Sequence, residues 1–330
     1  MTLSIGAETM TRRPLARRYA TERRWSAYPP DTRSGYVCQP RVRKRKTGPR
    51  RRWSAMWALL ACVLAAGCAK ERPVASDQGP AAGHGSEKEA LPPLLTFELG
   101  KGVGLELVLI RPGTFLMGDA DGMENAKPVH KVAITKPFYL GKYEVTQQQW
   151  EAVMGGNPSE FRAPENPVDS VNWDDCQAFC KKLNTKFRDR AAKFFLPTEA
   201  QWEYACRAGS TSRFCFGDED AKIGDYAWFY DNADGRTHPV GRKKPNPWGL
   251  YDMHGNVSEW CADWYGPEYY KCSPSRDPAG PASGLSRANR GGHWRNLPSG
   301  CTSAFRATNS SRRDFLIGFR VACEAEADGK

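Results

Sequence analysis

Residues 246–266, NPWGLYDMHGNVSEWCADWYG, gather hard oxygen donors at high density. Asp252 and Glu259 bracket a Gly-bent loop, and with the backbone carbonyls of Gly255 and Val257 they place two carboxylates and two carbonyls within eight residues. Such a set suits Ca²⁺, which takes about six to eight oxygen ligands in irregular geometry. The same residues have a plainer reading, in which Asp252 caps a turn and Glu259 pairs with an arginine. Spacing alone leaves both open.

Sulfur is the second chemical resource. Of eleven cysteines, Cys38 and Cys62 fall in a leader-like segment and Cys68 directly follows it, leaving Cys176, Cys180, Cys206, Cys215, Cys261, Cys272, Cys301 and Cys323. An even number in an exported domain predicts a disulfide framework. Zinc ligation is the competing use, and the CxxC pairs it needs are absent. Cys176 and Cys180 lie four apart on one predicted helix, where their Cβ vectors are poorly placed to bond each other. The five histidines, His84, His130, His238, His254 and His293, are too dispersed for a helical metal motif. GxSxG, Walker A and GxGxxG signatures are also missing. Arg306 and Arg320 are expected in buried salt bridges rather than on a ligand.

The net charge of +11 at first suggests a nucleic-acid or anionic partner. Its distribution argues otherwise: residues 1–67 carry +12 and residues 68–330 carry −1. The basic stretch RVRKRKTGPRRRWSA is followed by a twelve-residue apolar run, Met56–Gly67. That run is too short to span a bilayer and fits the h-region of an export signal. Ala65, Ala66 and Gly67 precede Cys68, with Leu64 one place early, which resembles a bacterial lipobox. The expected mature chain is lipid-anchored through Cys68 in the bacterial cell envelope, outside the cytoplasm. A cut by an ordinary signal peptidase near Gly67 would export it without lipid. So long a basic region is unusual, and a start near Val42 would give a leader of ordinary length. Residues 69–93, rich in Ala, Gly, Pro, Ser and charge, read as a flexible tether, with the folded domain spanning 94–330.

Local signals place the elements that must carry these groups. LELVLIRPGTFLMGD alternates and turns at Pro112-Gly113, predicting a hairpin, with further strands at His130–Ile134 and Phe138–Tyr143. Capping boxes open helices at Thr146 with Gln149 and at Thr198 with Gln201. A helix between these follows Asn172, through WDDCQAFCKKLNTKF. From Ser210 onward no periodicity persists, which reads as ordered irregular structure held by large buried aromatics among the eleven tryptophans. No repeat of solenoid or propeller length is visible.

Seven motifs then carry a resemblance: PGTFLMGD, FYLGKYEVTQQQW, NPVDSVNWDDCQAFC, LPTEAQWEYACRAG, NPWGLYDMHGNVSEW, RGGHW and GFRVAC. In this order they resemble the formylglycine-generating enzyme (sulfatase-modifying factor) family over Leu107–Cys323. The resemblance implies an α+β fold, a single C-type-lectin-like domain with little regular secondary structure, and bound calcium at Asp252, Gly255, Val257 and Glu259. A second calcium loop of the family matches poorly, because Trp228 stands where an Asn side chain is expected. The resemblance also implies a disulfide between Cys180 and Cys323.

Active members of the family oxidise a sulfatase cysteine to formylglycine with O₂ and Cu(I) held by two thiolates. Here Cys301 falls on the second copper-ligand position, Asn296 replaces the first, and His293 replaces a serine of the oxygen pocket. A carboxamide is no substitute for a thiolate toward Cu(I). Cys301 then reads either as a thiol activated by His293 or as half of a disulfide, with Cys261 as the nearest partner. The iron-dependent sulfoxide synthases that share this domain are not supported by the histidine spacing.

The expectation is therefore an exported, lipid-anchored member of this family without copper oxidase activity. It would act as a calcium-stabilised module binding a protein or glycan ligand, with no nucleic acid as partner. The competing readings are an active oxidase converting a sulfatase peptide, different chemistry around His293 and Cys301, and a purely structural envelope component.

Overall fold

In a computed structural model, the described residues are 91–325, apart from 191 and 311. The expected leader, the expected lipid-anchor position Cys68 and the tether up to residue 90 lie outside them.

The chain begins with β1 (Leu94–Glu98) and β2 (Gly104–Ile110), continues through β3 (Gly113–Met117), β4 (His130–Ile134) and β5 (Phe138–Gly141), and then enters α1 (Gln147–Met154). The turn at Pro112-Gly113 does not close a hairpin. Both edges of β2 are taken, by β1 and β5, so β3 leaves that sheet and pairs with β4, Gly113 opposite Ile134.

Next come α2 (Trp173–Lys186), β6 (Phe194–Phe195) and α3 (Glu199–Arg207). Each of α1, α2 and α3 opens on a reciprocal capping box, Thr146 with Gln149, Asn172 with Asp175 and Thr198 with Gln201. Two orphan backbone donors are satisfied at each start, which fixes where the helix begins. Helix α2 buries Cys176, Phe179, Cys180 and Leu183 on one face, and Phe179 stacks on Trp150 of α1 with ring centroids 5.5 Å apart.

Beyond α3 the chain runs irregularly to β7 (Ser258–Trp264), β8 (Arg287–Arg290), β9 (Arg306–Asn309), β10 (Ile317–Gly318) and β11 (Ala322–Glu324). Among the described residues, sheet order is β1-β2-β5-β11-β6 in one sheet, β10-β7-β8-β9 in a second, and β3-β4 in a third. Strand β5 lies between two cores: Tyr139 belongs to one apolar cluster, Phe138 and Leu140 to the other. Strand β7 does the same with Trp260 and Cys261. A strand buried on both faces has no alternation of polar and apolar residues, which is why β7 left no periodic trace in the sequence.

Among the described residues, neither the Cys180–Cys323 bridge nor a Cys261–Cys301 bridge is formed. Cys176, Cys180, Cys206, Cys215, Cys261, Cys301 and Cys323 are all buried free thiols. Cys323 shares an apolar cluster with Cys180 but turns its thiol to the Glu324 carbonyl, at 3.6 Å. Cys261 and Cys301 belong to different clusters.

Candidate functional site

The loop from Asp252 to Glu259 joins the irregular segment to β7. Asp252 and Asn256 adopt left-handed backbone conformations, with φ of 59° and 65°. Gly255 is there because of a close approach: a Cβ would lie 2.2 Å from the Trp228 carbonyl oxygen, which accepts the Asn256 N–H. Glu144, brought in by the segment between β5 and α1, accepts from the Val257 N–H at 3.1 Å and from Asn256 Nδ2 at 2.9 Å.

Glu259 takes the ion-pair role. Arg320 donates Nε and Nη2 to its two oxygens at 2.6 and 2.7 Å, and Trp202 Nε1 adds a third bond at 2.7 Å. Arg320 thus lies in a buried salt bridge as expected, and so does Arg306, whose Nε and Nη2 reach Glu199 at 2.6 and 2.8 Å. One oxygen of Asp252, Oδ2, accepts the Gly241 N–H at 2.7 Å, while Oδ1 is buried without a partner. Burial pushes the Asp252 carboxyl up to about 6, and burial with the charges of Asp252 and Glu259 holds Glu144 well above the carboxylate range.

Arg320 and, toward Asp252, Lys243 offset the ionised carboxylates here, and what stays unsatisfied is the buried Asp252 Oδ1. A hard cation would satisfy that oxygen, and Asp252 with the Gly255 and Val257 carbonyls and the remaining lone pair of Glu259 fits Ca²⁺ in donor type. Among the described residues no group of three or more His, Cys, Asp or Glu side chains assembles as a metal centre. A site of two carboxylates and two carbonyls does not require one.

The second calcium loop does not fit. Trp228 stacks on His238 at 3.9 Å, and Lys243 Nζ sits 4.0 Å from the Trp228 ring centroid while donating to the Gly224 carbonyl at 2.6 Å. An indole and an ammonium offer no oxygen to calcium, and the ammonium supplies positive charge of its own.

The segment His293–Cys301 follows β8 through Gly291 and Gly292, both with positive φ. At Gly292 a Cβ would lie 2.4 Å from the Gly300 oxygen and 2.8 Å from Cys301 Sγ, so only glycine allows the loop to fold back here. Asn296 is spent on that fold. Its Oδ1 accepts the His293 N–H at 2.9 Å, its own N–H donates to the His293 carbonyl at 2.8 Å, and its carbonyl accepts the Tyr230 N–H at 2.9 Å.

Cys301 packs in an apolar cluster with Phe214, Ile223, Ala227 and Phe229, and burial pushes its thiol up to about 12. His293 does come close, but as a backbone donor to the sulfur. Its half-buried imidazole accepts the Arg295 N–H on Nδ1 at 3.2 Å, which puts the ring proton on Nε2. Burial, then the Arg295 charge, pulls it down to about 4. A neutral imidazole beside a protonated thiol is the reverse of an activated nucleophile. Nor does one buried thiol, with a carboxamide at the other ligand position, fit Cu(I), which needs soft thiolate donors.

Sequence reasoning missed His254. Its Nε2 accepts the Cys215 N–H at 3.2 Å, so Nδ1 carries the proton and donates to the Cys301 carbonyl at 2.9 Å. The Cys206 thiol lies 3.9 Å from Nε2. The available signal was position, since His254 stands between two proposed cation ligands.

The exposed side of this region is apolar. Tyr230 is 61% exposed and Leu297 57%, and the Trp294, Phe161 and Phe315 rings contact one another with centroids 5.6 to 6.4 Å apart. Trp294 Nε1 is buried with no partner, which leaves an unused donor beside these rings.

Comparison with known proteins agrees with this architecture. The family described as sulfatase-modifying factor enzyme 1-like domain matches residues 100–325. The formylglycine-generating enzyme of Streptomyces coelicolor is 31% identical over 245 residues, 69% of this chain and 69% of that protein. A chaperone protein LppX from Paenibacillus barcinonensis is 31% identical over 207 residues, 48% of this chain and 72% of the other. A serine/threonine-protein kinase pkn1 from Chlamydia pneumoniae is 31% identical over 66% of this chain, which spans only 38% of the kinase. Among solved structures, Treponema denticola variable protein 1 superposes with a TM-score of 0.67 at 32% identity, covering 71% of this chain and all of that one. The chain belongs to the sulfatase-modifying factor enzyme 1-like family and has its α+β, formylglycine-generating-enzyme-type fold.

Proposed function

We propose that this chain is a calcium-stabilised binding module of its family that does not carry out copper-dependent oxidation. In this reading it is exported and anchored to the bacterial envelope through a lipid on Cys68. One observation carries the loss of oxidation: at the two copper-ligand positions stand Asn296, whose carboxamide oxygen is engaged by the His293 N–H, and Cys301, a protonated thiol sealed in an apolar cluster. Calcium is supported by the buried, unsatisfied Asp252 oxygen, with Glu259 seven residues on in the same loop. Bound there, calcium would satisfy Asp252 and hold the loop in its left-handed turns.

The binding face is the rim formed by Tyr230, Leu297 and Phe315, underlain by the buried Trp294. Aromatic and apolar surface beside the His293 Nε2 donor suits a ligand with apolar surface and carbonyl or hydroxyl oxygens, which describes a polypeptide or a glycan. The relative named as a chaperone protein supports the polypeptide.

A Cu(I) titration against a competing chelator, combined with free-thiol counting, tests the reading. The wild-type chain is expected to take up no stoichiometric Cu(I) and to leave a sulfatase-type Cys-x-Pro-x-Arg peptide unoxidised. The Asn296→Cys variant should gain Cu(I) binding. Tight uptake by the wild type with conversion of the peptide would restore the oxidase instead.

A further inference from the structure

We propose that His254 is the positioning residue through which the cation loop holds the binding face, so that calcium occupancy governs the order of residues 293–301. This rests on the calcium reading of Asp252 and Glu259.

The loop 252–259 is bonded in two directions. Toward the cation site, Asp252 and Glu259 present carboxylates and Glu144 clamps Asn256 and Val257. Toward the binding face, His254 Nδ1 donates to the Cys301 carbonyl at 2.9 Å, and the Asn256 carbonyl accepts the Trp294 N–H at 2.9 Å. The segment 294–301 therefore hangs at both ends from residues 254 and 256, with the exposed Leu297 between them. His254 is 1% exposed, has both ring nitrogens engaged, and is flanked by Phe214 and Phe216 at 5.5 and 5.6 Å, so it transmits position instead of swinging free.

The driving force lies in the loop itself. Asp252 and Asn256 hold left-handed conformations at the two turns of the loop, so a change at either redirects the backbone between them. Without a cation, Asp252 Oδ1 stays buried with no partner, a cost the loop relieves only by opening toward water. That opening moves residues 254 and 256, and both suspension points of the binding face move with them.

Hydrogen exchange on the full chain, read by mass spectrometry in calcium and in EGTA beside direct measurement of calcium uptake, tests this. Amides of residues 294–301 are expected to exchange about tenfold faster in EGTA. In His254→Leu the segment should exchange rapidly in both conditions while calcium uptake is kept. His254→Asn, whose Nδ2 stands close to where Nδ1 stood, should restore calcium-dependent protection; a merely space-filling role would not be rescued in this way. Calcium bound with unchanged exchange at 294–301 overturns the coupling and leaves the cation site standing. Absence of calcium uptake by the wild type overturns both. The wild-type comparison decides the matter even if the leucine variant does not fold.

Discussion

Arg320 grips Glu259 with two parallel bonds, Nε to Oε2 at 2.6 Å and Nη2 to Oε1 at 2.7 Å, with both side chains buried. The pair is more than a local tie, because Glu144 and Asp252 add their charge to the same guanidinium. Arg320→Met should therefore cost about 3–5 kcal/mol in a urea melt, as expected when one member of a buried pair is removed. Glu259→Gln should cost less, since Glu144 and Asp252 still balance the arginine. Equal losses in the two variants would show that the neighbouring carboxylates do not share the charge.

Calcium uptake is expected at one ion per chain, read by metal analysis after dialysis. Trp228 and Lys243 close the second loop to the metal. A chelator should lower the melting temperature by several degrees, because a ligand bound only to the native state stabilises it. Asp252→Ala should abolish both the uptake and the response. Two ions per chain would refute the assignment of the second loop.

Asp263 sets a pH dependence. It is buried, accepts the Glu199 N–H at 2.8 Å, and is pushed up to about 8 by burial and then by the Glu199 charge. Unfolded, it titrates at about 3.9. The native state thus holds a proton that the unfolded chain releases, so this residue's contribution to stability is full below about pH 4 and is lost as pH rises to about 8. Asp263→Asn removes the dependence. The difference in unfolding free energy between wild type and variant should grow across that window by a few kcal/mol, in favour of the variant; a difference constant with pH would contradict the argument.

Alkylation of the unfolded chain without reductant, followed by peptide mapping, should label both Cys180 and Cys323, the pair expected to be bridged. Their shared apolar cluster stabilises the fold by burial, which needs no bond between them. Recovery of a Cys180–Cys323 linked peptide would reverse this.

The starts of α1 and α3 were legible because a capping box is an interaction between residues three apart, written directly in the spacing of Thr146 and Gln149 or Thr198 and Gln201. That of α2 was legible from Asn172, whose reciprocal partner Asp175 the structure supplied. The arginine reading of Glu259 was legible as a class of interaction, though not as a pair. Its partner lies 61 residues away, and nothing in the sequence orders Arg320 and Arg306 against Glu259 and Glu199. The tertiary structure decided that pairing. It also decided the parting of β2 from β3, the unbridged cysteines and the reach of His254 to Cys301. Each depends on which surfaces meet when two apolar cores close around β5 and β7. Packing of that kind is set by shape and burial over the whole domain, whereas the sequence records only neighbours along the chain.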